Sequence, residues 1–595
     1  MNTRAPLLCL LAASALPGLM PAWSEPAPAV SGDSSGDAGF MRLADEYIDD
    51  FYLPENPTQA TALGVHRFDG RLENYGHAAV TSQVRRLEDW ERRLVAFDAA
   101  RLSERVAGDR ELLLSNVRST LLTLETIRPW QNNPDIYPSG IAQSAFVIME
   151  RGFAPPAARL LSLIEREHSM PIALMQAHQN LDNPPEIFTR IALEQLPGTI
   201  DFFEHDVPAA FAAAKDPALQ AQFRRNNAAV VGALRHYQHW LTRQVLPRSH
   251  GDFRIGAQTF GAKLLYDEMV DTPLDRLLEI GSADLRRNQQ AFLRVAHELE
   301  PDMSTSDVVA ELDHDRPAPD QLLPSFRATF DSLIAFIGTH HIITVPDAPR
   351  PILEDTPPFE RATSMASMDT PGPFERGATE AYFNVTPPEA NWDAQRVADF
   401  MAGYSYPVIS NTAVHEAYPG HYVQYLWIQR LDDRVRQIFG AATNYEGWAH
   451  YCEQMMLDQG FGQAGPDASA EELRRSRLLR LGQLRDALLR DARFVVGIRM
   501  HTGSMSLPQA IDFFHDEGYQ TREVGELEAK RGASDPTYLY YTLGKLQILK
   551  LRADLAAREG AQFDLQRFHD DFMREGQAPI KLVRRALLHD DSPTL

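Results

Sequence analysis

A mainly α-helical fold with one small β element is what the sequence predicts, and three observations predict it. Apolar residues recur every three or four positions over long stretches, and β-branched and aromatic runs between Pro and Gly are confined to one region. No segment approaches the roughly 20 consecutive apolar residues that a membrane-spanning helix requires, so no integral membrane span is expected. With 595 residues, 44% of them hydrophobic and 23% charged, the chain can bury a large globular core, and two lobes are expected. The formal net charge of -23 argues against a nucleic-acid partner, because a polyanion would be repelled over most of the surface.

In chain order, residues 1–24 read as a signal peptide. Arg4 supplies a small positive region, Leu7 to Met20 form a short apolar run broken at Pro17-Gly18, and Ala22-Trp23-Ser24 fits a cleavage site. The mature protein is then exported, most simply to a bacterial periplasm. Only Cys452 remains after cleavage, so no internal disulfide forms, which suits an oxidising compartment. Residues 25–39, rich in Pro, Ser, Gly and Asp, read as a flexible leader.

Residues 40–340 are expected to form an N-terminal helical lobe. Val80, Val84, Leu87, Trp90 and Leu94 mark one buried helix face, and Arg110–Thr126, Gln220–Val245 and Leu274–Leu299 show the same period. Prolines such as Pro155-Pro156, Pro184-Pro185 and Pro208 punctuate these helices. Residues 341–595 form the expected catalytic lobe. Its β element lies at 342–387, from the Ile342-Ile343-Thr344-Val345-Pro346 and Ala381-Tyr382-Phe383-Asn384-Val385 runs. From Asp393 onward the chain returns to helix.

The chemistry is concentrated at His415-Glu416-Ala417-Tyr418-Pro419-Gly420-His421 and at Glu446-Gly447-Trp448-Ala449, which begins 25 residues after His421. A zinc hydrolase needs neutral nitrogen ligands, a further carboxylate ligand and a separate carboxylate that activates water. His415, His421 and Glu446 supply the ligands for one Zn2+ per chain, and Glu416 has the position of the general base; its alternative role is to hold a histidine tautomer. Imidazole and carboxylate also suit manganese, cobalt or iron. Histidines four apart share a helix face, but these are six apart. The pair converges only if the chain distorts locally, and Pro419 and Gly420 permit that. Without the distortion His421 is a supporting or surface histidine.

Glu446, His450 and Glu453 lie at i, i+4 and i+7 and share one face. His450 is the rival third ligand, whereas Glu453 is expected to orient a histidine from behind. Small Gly447 and Ala449 would let this helix pack closely on the histidine helix. Cys452 is a conceivable soft ligand, but a lone cysteine is more often a small buried apolar residue.

These residues resemble the bacterial domain-of-unknown-function family 885, which is grouped with the His-Glu zinc peptidases of gluzincin type. The resemblance extends to Ala60-Thr61-Ala62-Leu63-Gly64 with Asp69, Phe253-Arg254-Ile255-Gly256, Ala381-Tyr382-Phe383-Asn384 and Tyr541-Thr542-Leu543-Gly544-Lys545-Leu546. It implies a large helical zincin-like fold with a deep active-site channel, similar to oligopeptidases of the thimet and carboxypeptidase Taq type. Glu446-Gly447-Trp448-Ala449 also resembles the Glu-Gly-Phe-Ala segment of aminopeptidase N-type enzymes, which favours Glu446 over His450 as ligand. Such enzymes place a tyrosine or histidine over the tetrahedral intermediate, and Tyr541 matches the family pattern best, with Tyr538 and Tyr540 as neighbours at the substrate. Tyr382, Phe383 and Asn384 are expected as an edge strand pairing with the substrate backbone. Arg531, Arg254 and Lys545 are candidates for gripping a substrate carboxylate, each with a structural ion pair as the plainer role.

The expected activity is hydrolysis of short peptides. An amidase or esterase acting on a non-peptide or cell-wall-derived substrate, and a non-catalytic metal- or peptide-binding protein, are the alternatives.

Overall fold

The computed structural model describes residues 34–356, 361, 365–389 and 391–595. The expected signal peptide and residues 25–33 of the expected leader lie outside the described residues. Residues 34–39, expected as leader, instead open a helix, Ser34–Tyr47, whose Phe40, Ala44 and Tyr47 are buried. That apolar spacing of three and four explains why the helix forms before the polar composition ends.

The long periodic stretches fold as helices. His77–Ala96 buries Val80, Leu87, Trp90 and Leu94, with Val84 partly buried, and Leu274–Leu299 keeps its expected bounds. Glu104–Leu122 is capped by Ser103, which accepts from the Val106 N–H, and runs on into a π-helical turn, Thr123–Ile127. Pro217–Trp240 does the same, capped by Asp216 and followed by the turn Leu241–Val245.

The β element is a three-stranded mixed sheet of β1 (Ile352–Asp355), β2 (Ala366–Asp369) and β3 (Tyr382–Val385), in the order β1-β3-β2. β1 pairs parallel with β3 in the register Ile352 to Tyr382, and β2 pairs antiparallel with it in the register Asp369 to Tyr382. Ile342 to Pro346 form no strand. Their backbone is satisfied elsewhere, since Ile342 N–H donates to the Ile337 carbonyl, His569 Nδ1 donates to the Ile342 carbonyl and Thr344 N–H donates to Asp570.

β3 is the middle strand, which corrects its expected role as a free edge. Both of its sides are occupied by ladder bonds, so it has no row of backbone groups left for a substrate. Phe383 is fully buried against Phe326 and Phe330 of helix Leu322–Thr339, at ring separations of 5.2 and 5.0 Å. Asn384 is buried on the opposite face, with its Oδ1 unpartnered.

One apolar core draws together residues 40–117, 322–343 and 381–588, while residues 137–245 enclose a second. The main core therefore runs across the boundary expected at 340. Among the described residues no helix is long and apolar enough to cross a membrane.

Candidate metal centre

The first ligand-bearing helix, Tyr406–Glu416, ends one residue after His415, and a second helix, His421–Ile428, begins at His421. Between them the Tyr418–Pro419 peptide is cis, and the ladder shifts so that Tyr418 N–H donates to the Ala413 carbonyl and Gly420 N–H to the Val414 carbonyl. Gly420 is required by close approach, because a Cβ there would lie 1.8 Å from the His415 carbonyl oxygen. The expected distortion is thus a complete break between two helices. It brings the rings to a centroid separation of 4.9 Å, nearly perpendicular.

Glu446 sits in the first turns of helix Ala442–Asp458. Glu268 secures that N-terminus by accepting from Thr443 N–H at 2.8 Å and Thr443 Oγ1 at 2.7 Å. Trp448 Nε1 donates to the Pro419 carbonyl at 2.9 Å and ties the glutamate helix to the break in the histidine segment. Gly447 does not serve contact with the histidine helix, as expected, but contact with helix Tyr540–Glu559. A Cβ on Gly447 would lie 2.6 Å from Gly544 Cα, and one on Gly544 would lie 1.9 Å from the Thr443 carbonyl oxygen. The two backbones touch where Glu446 and Tyr541 are one residue and about one turn away.

The ligating atoms of His415, His421 and Glu446 all lie within 4.8 Å of one another. Glu446 Oε2 is 3.5 Å from Nε2 of each histidine, and it is buried without a hydrogen-bond partner. A tetrahedral zinc with bonds of about 2.0–2.1 Å holds its donors roughly 3.3 Å apart. Two imidazole nitrogens each 3.5 Å from one buried carboxylate oxygen that has no hydrogen-bond partner are a donor set that fits a divalent cation.

The groups behind the ligands set their orientation. Glu453 Oε1 lies 2.7 Å from His415 Nδ1, which leaves Nε2 facing Glu446. Arg490 reaches the same carboxylate at 3.1 Å, and His450 Nδ1 meets its other oxygen at 3.1 Å. Burial alone would raise the Glu453 carboxyl, but Arg490 foremost, with His450 and His415, holds it well below the usual range. Burial likewise disfavours a charged His415, yet Glu446 and Glu453, with Glu416 adding to them, raise it to about 10. His450 lies outside the three-ligand group, and burial followed by the charge of Lys545 lowers it to about 3. Its Nε2 is buried without a partner. Cys452 is fully buried and apolar in setting, and burial pushes its thiol well up.

Glu416 is partly buried beside His415. Tyr541 is 8% exposed, and its hydroxyl accepts from Arg531 Nη2 at 3.3 Å, which leaves its own proton free to be donated. Burial, then the Glu446 charge, raises its phenol. Tyr540 stacks obliquely on Tyr541 at 4.9 Å and donates to Asp535 at 3.0 Å. Tyr538 is not placed at the centre. It is fully buried in an apolar cluster with Ala529, Ala533 and Val496, because it faces inward where Gly497 and Gly532 leave room for its ring. Lys545 is committed to Asp284 at 3.1 Å, both buried, and Arg254 to Asp252 at 3.1 Å. The Lys545 pair is fully buried, whereas Arg254 keeps a buried Nε without a partner.

Sequence reading missed Arg490 and Asn411, which donates to Asp486. The available signal was Asp486, Arg490 and Arg493 at i, i+4 and i+7 on helix Ala470–His501, a charged stripe on a face that is otherwise buried. β2, which packs against the first histidine helix, also lines a cavity of about 1210 Å3 bounded by Phe146, Arg151, Glu194 and Leu527.

Two solved structures are similar along nearly the whole chain. A candidate lipoprotein of unknown function from Shewanella oneidensis is 25% identical, with a TM-score of 0.78, covering 92% of this chain and 99% of its own. A candidate lipoprotein from Colwellia psychrerythraea, 15% identical, has a TM-score of 0.76 and covers 94% and 99%. No curated protein matches the sequence. The family described as bacterial protein of unknown function (DUF885) matches residues 57–587, and the chain belongs to that family.

Proposed function

We propose that the protein is an exported metallopeptidase, zincin-like in architecture, that hydrolyses short peptides. The convergence of His415, His421 and Glu446, with Glu416 next to His415 in the chain and its charge acting on that imidazole, carries this reading. A divalent cation bound there, zinc by ligand type, supplies the Lewis acidity that polarises a carbonyl and acidifies water. His415, held through Nδ1 by Glu453, and His421 and Glu446 are its ligands. Glu416 takes a proton from the attacking water and delivers it to the leaving amine as the C–N bond breaks. Tyr541 donates its free hydroxyl proton to the oxygen that gains charge.

The cavity beside β2 is the substrate channel, and β2, a sheet edge among the described residues, takes the place expected of β3 in pairing with the peptide backbone. Export is supported by the signal-peptide pattern and by the two structurally similar candidate lipoproteins.

Glu416→Gln tests the mechanism. It is expected to lower turnover of a peptide library by about 100- to 10,000-fold while metal content is unchanged. Unchanged turnover with metal bound would remove Glu416 from the mechanism. Better turnover of N-acyl amides or esters than of peptides would displace the peptidase reading in favour of an amidase or esterase.

A further inference from the structure

Three guanidinium groups surround the Tyr541 ring, with Cζ 5.6 Å (Arg490), 5.1 Å (Arg493) and 5.8 Å (Arg531) from its centroid. Two of them are committed. Arg490 pairs with Glu453, and Arg493 binds both oxygens of Glu528 at 2.6 and 2.7 Å. Among the described residues Arg531 has no carboxylate at ion-pair distance, and its guanidinium donates to the Tyr541 hydroxyl. The carboxylates that act on it electrostatically are already engaged, Glu528 by Arg493 and Asp535 by Tyr540. A guanidinium offers five donors in a fork that matches a carboxylate, and a partly buried one without an acid partner is a costly arrangement unless a ligand supplies it.

Its position points the same way. Arg531 lies on helix Arg522–Ser534, four residues after Leu527, so the two share a face. Leu527 lines the large cavity, and the intervening Lys530 pairs with Glu194 on the opposite wall at 3.0 Å. Arg531 therefore stands on the helix face that Leu527 presents to the cavity and within hydrogen-bond reach of Tyr541.

We propose that Arg531 receives the free α-carboxylate of the substrate, so that the enzyme acts as a carboxypeptidase releasing one residue at a time. This rests on the peptidase reading above. With Tyr541 donating to the oxyanion over about 2.8 Å, Arg531 Nη2 lies within roughly 6 Å of that oxygen. The α-carboxylate of the residue just after the scissile bond is about one Cα–Cα step, ~3.8 Å, away and within reach of a hydrogen bond to Arg531. Release of one residue is the shortest fit; a two-residue leaving group would carry its carboxylate a further ~3.3–3.6 Å out, and the products separate the two. In the reaction the peptide C–N bond breaks, a C–O bond forms from water, and a water proton ends on the amino group of the released residue.

The test uses N-acetylated alanine tetrapeptide as the free acid and as the C-terminal amide. Binding to metal-loaded Glu416→Gln protein is measured by calorimetry, and the products of the wild-type protein by mass spectrometry. The acid is expected to bind roughly 10- to 100-fold more tightly than the amide, and the wild-type protein to release single alanine. Adding Arg531→Gln should abolish the difference by weakening only the acid, while Arg531→Lys should restore part of it. Equal binding of acid and amide, an acid preference that survives Arg531→Gln, or release of dipeptides or internal fragments would overturn the proposal. Cleavage of both peptides at equal rates would leave the peptidase reading standing and remove this one. Discrimination in binding without cleavage of any peptide would remove the peptidase reading instead, and with it the carboxypeptidase assignment.

Discussion

Glu453 is the residue through which the candidate centre is held in place. It meets His415 on one oxygen and His450 on the other, and Arg490 fixes it from behind. A carboxylate that orients a ligating imidazole is expected to matter nearly as much as the ligand itself. Glu453→Gln should therefore weaken metal binding by about 10- to 100-fold in a chelator competition, with the secondary structure intact. Affinity equal to that of the wild-type protein would show that His415 is oriented by other contacts. The three candidate ligands were legible in the sequence because two lie in one seven-residue motif and the third follows it by 25 residues. Arg490 was not, since it gains its meaning from Glu453 on another helix, and Arg531 was legible only as one of three cations that could grip a substrate carboxylate. Asn384 and Phe383 misled for a related reason: period-two alternation identifies a strand but not its place in the sheet.

At the scale of elements, the close contact of helices Ala442–Asp458 and Tyr540–Glu559 sets Glu446 against Tyr541. Their backbones meet at Gly447 and Gly544, where a side chain on either would collide with the opposite main chain. Gly544→Ala should force the helices apart, costing about 1–3 kcal/mol in denaturant unfolding as overpacking does. It should also lower turnover beyond what the loss of folded protein explains, because Tyr541 shifts relative to Glu446. A fully active, equally stable variant would mean that the contact does not position Tyr541. Helix existence followed directly from apolar period, and Leu274–Leu299 shows how well a long amphipathic pattern fixes its own limits. The sheet was legible only as a region, because three four-residue strands in the order β1-β3-β2 are joined by pairings that no local pattern encodes. Which glycine meets which helix is likewise a tertiary fact, and the expectation for Gly447 failed on it.

Over the described residues, two large cores are joined by three smaller apolar clusters, and the largest core, which holds the candidate centre, recruits helices from both ends of the described chain. In the helix Pro156–Asn180, whose apolar face lies in the second core, Glu167 is fully buried with both oxygens unpartnered, and burial raises its carboxyl to about 9. The folded chain thus keeps a proton that the unfolded chain releases from about pH 4.3, so stability declines as pH rises between these values. The slope for this group is about 1.4 kcal/mol per pH unit. Glu167→Gln should remove that contribution, so its stability advantage over the wild-type protein should widen from pH 5 to pH 8 in denaturant titrations. An advantage independent of pH would show that Glu167 ionises normally.

His415, His421 and Glu446 are expected to hold one metal ion together despite the six-residue spacing of the histidines. The most direct measurement is elemental analysis of the mature protein after zinc reconstitution and removal of loosely bound metal, beside His421→Ala treated identically. About one metal ion per chain in the wild-type protein and a large loss in the variant are predicted. A wild-type protein that retains no metal, or a His421→Ala protein that retains it fully, would rule out a metal site made by these three residues.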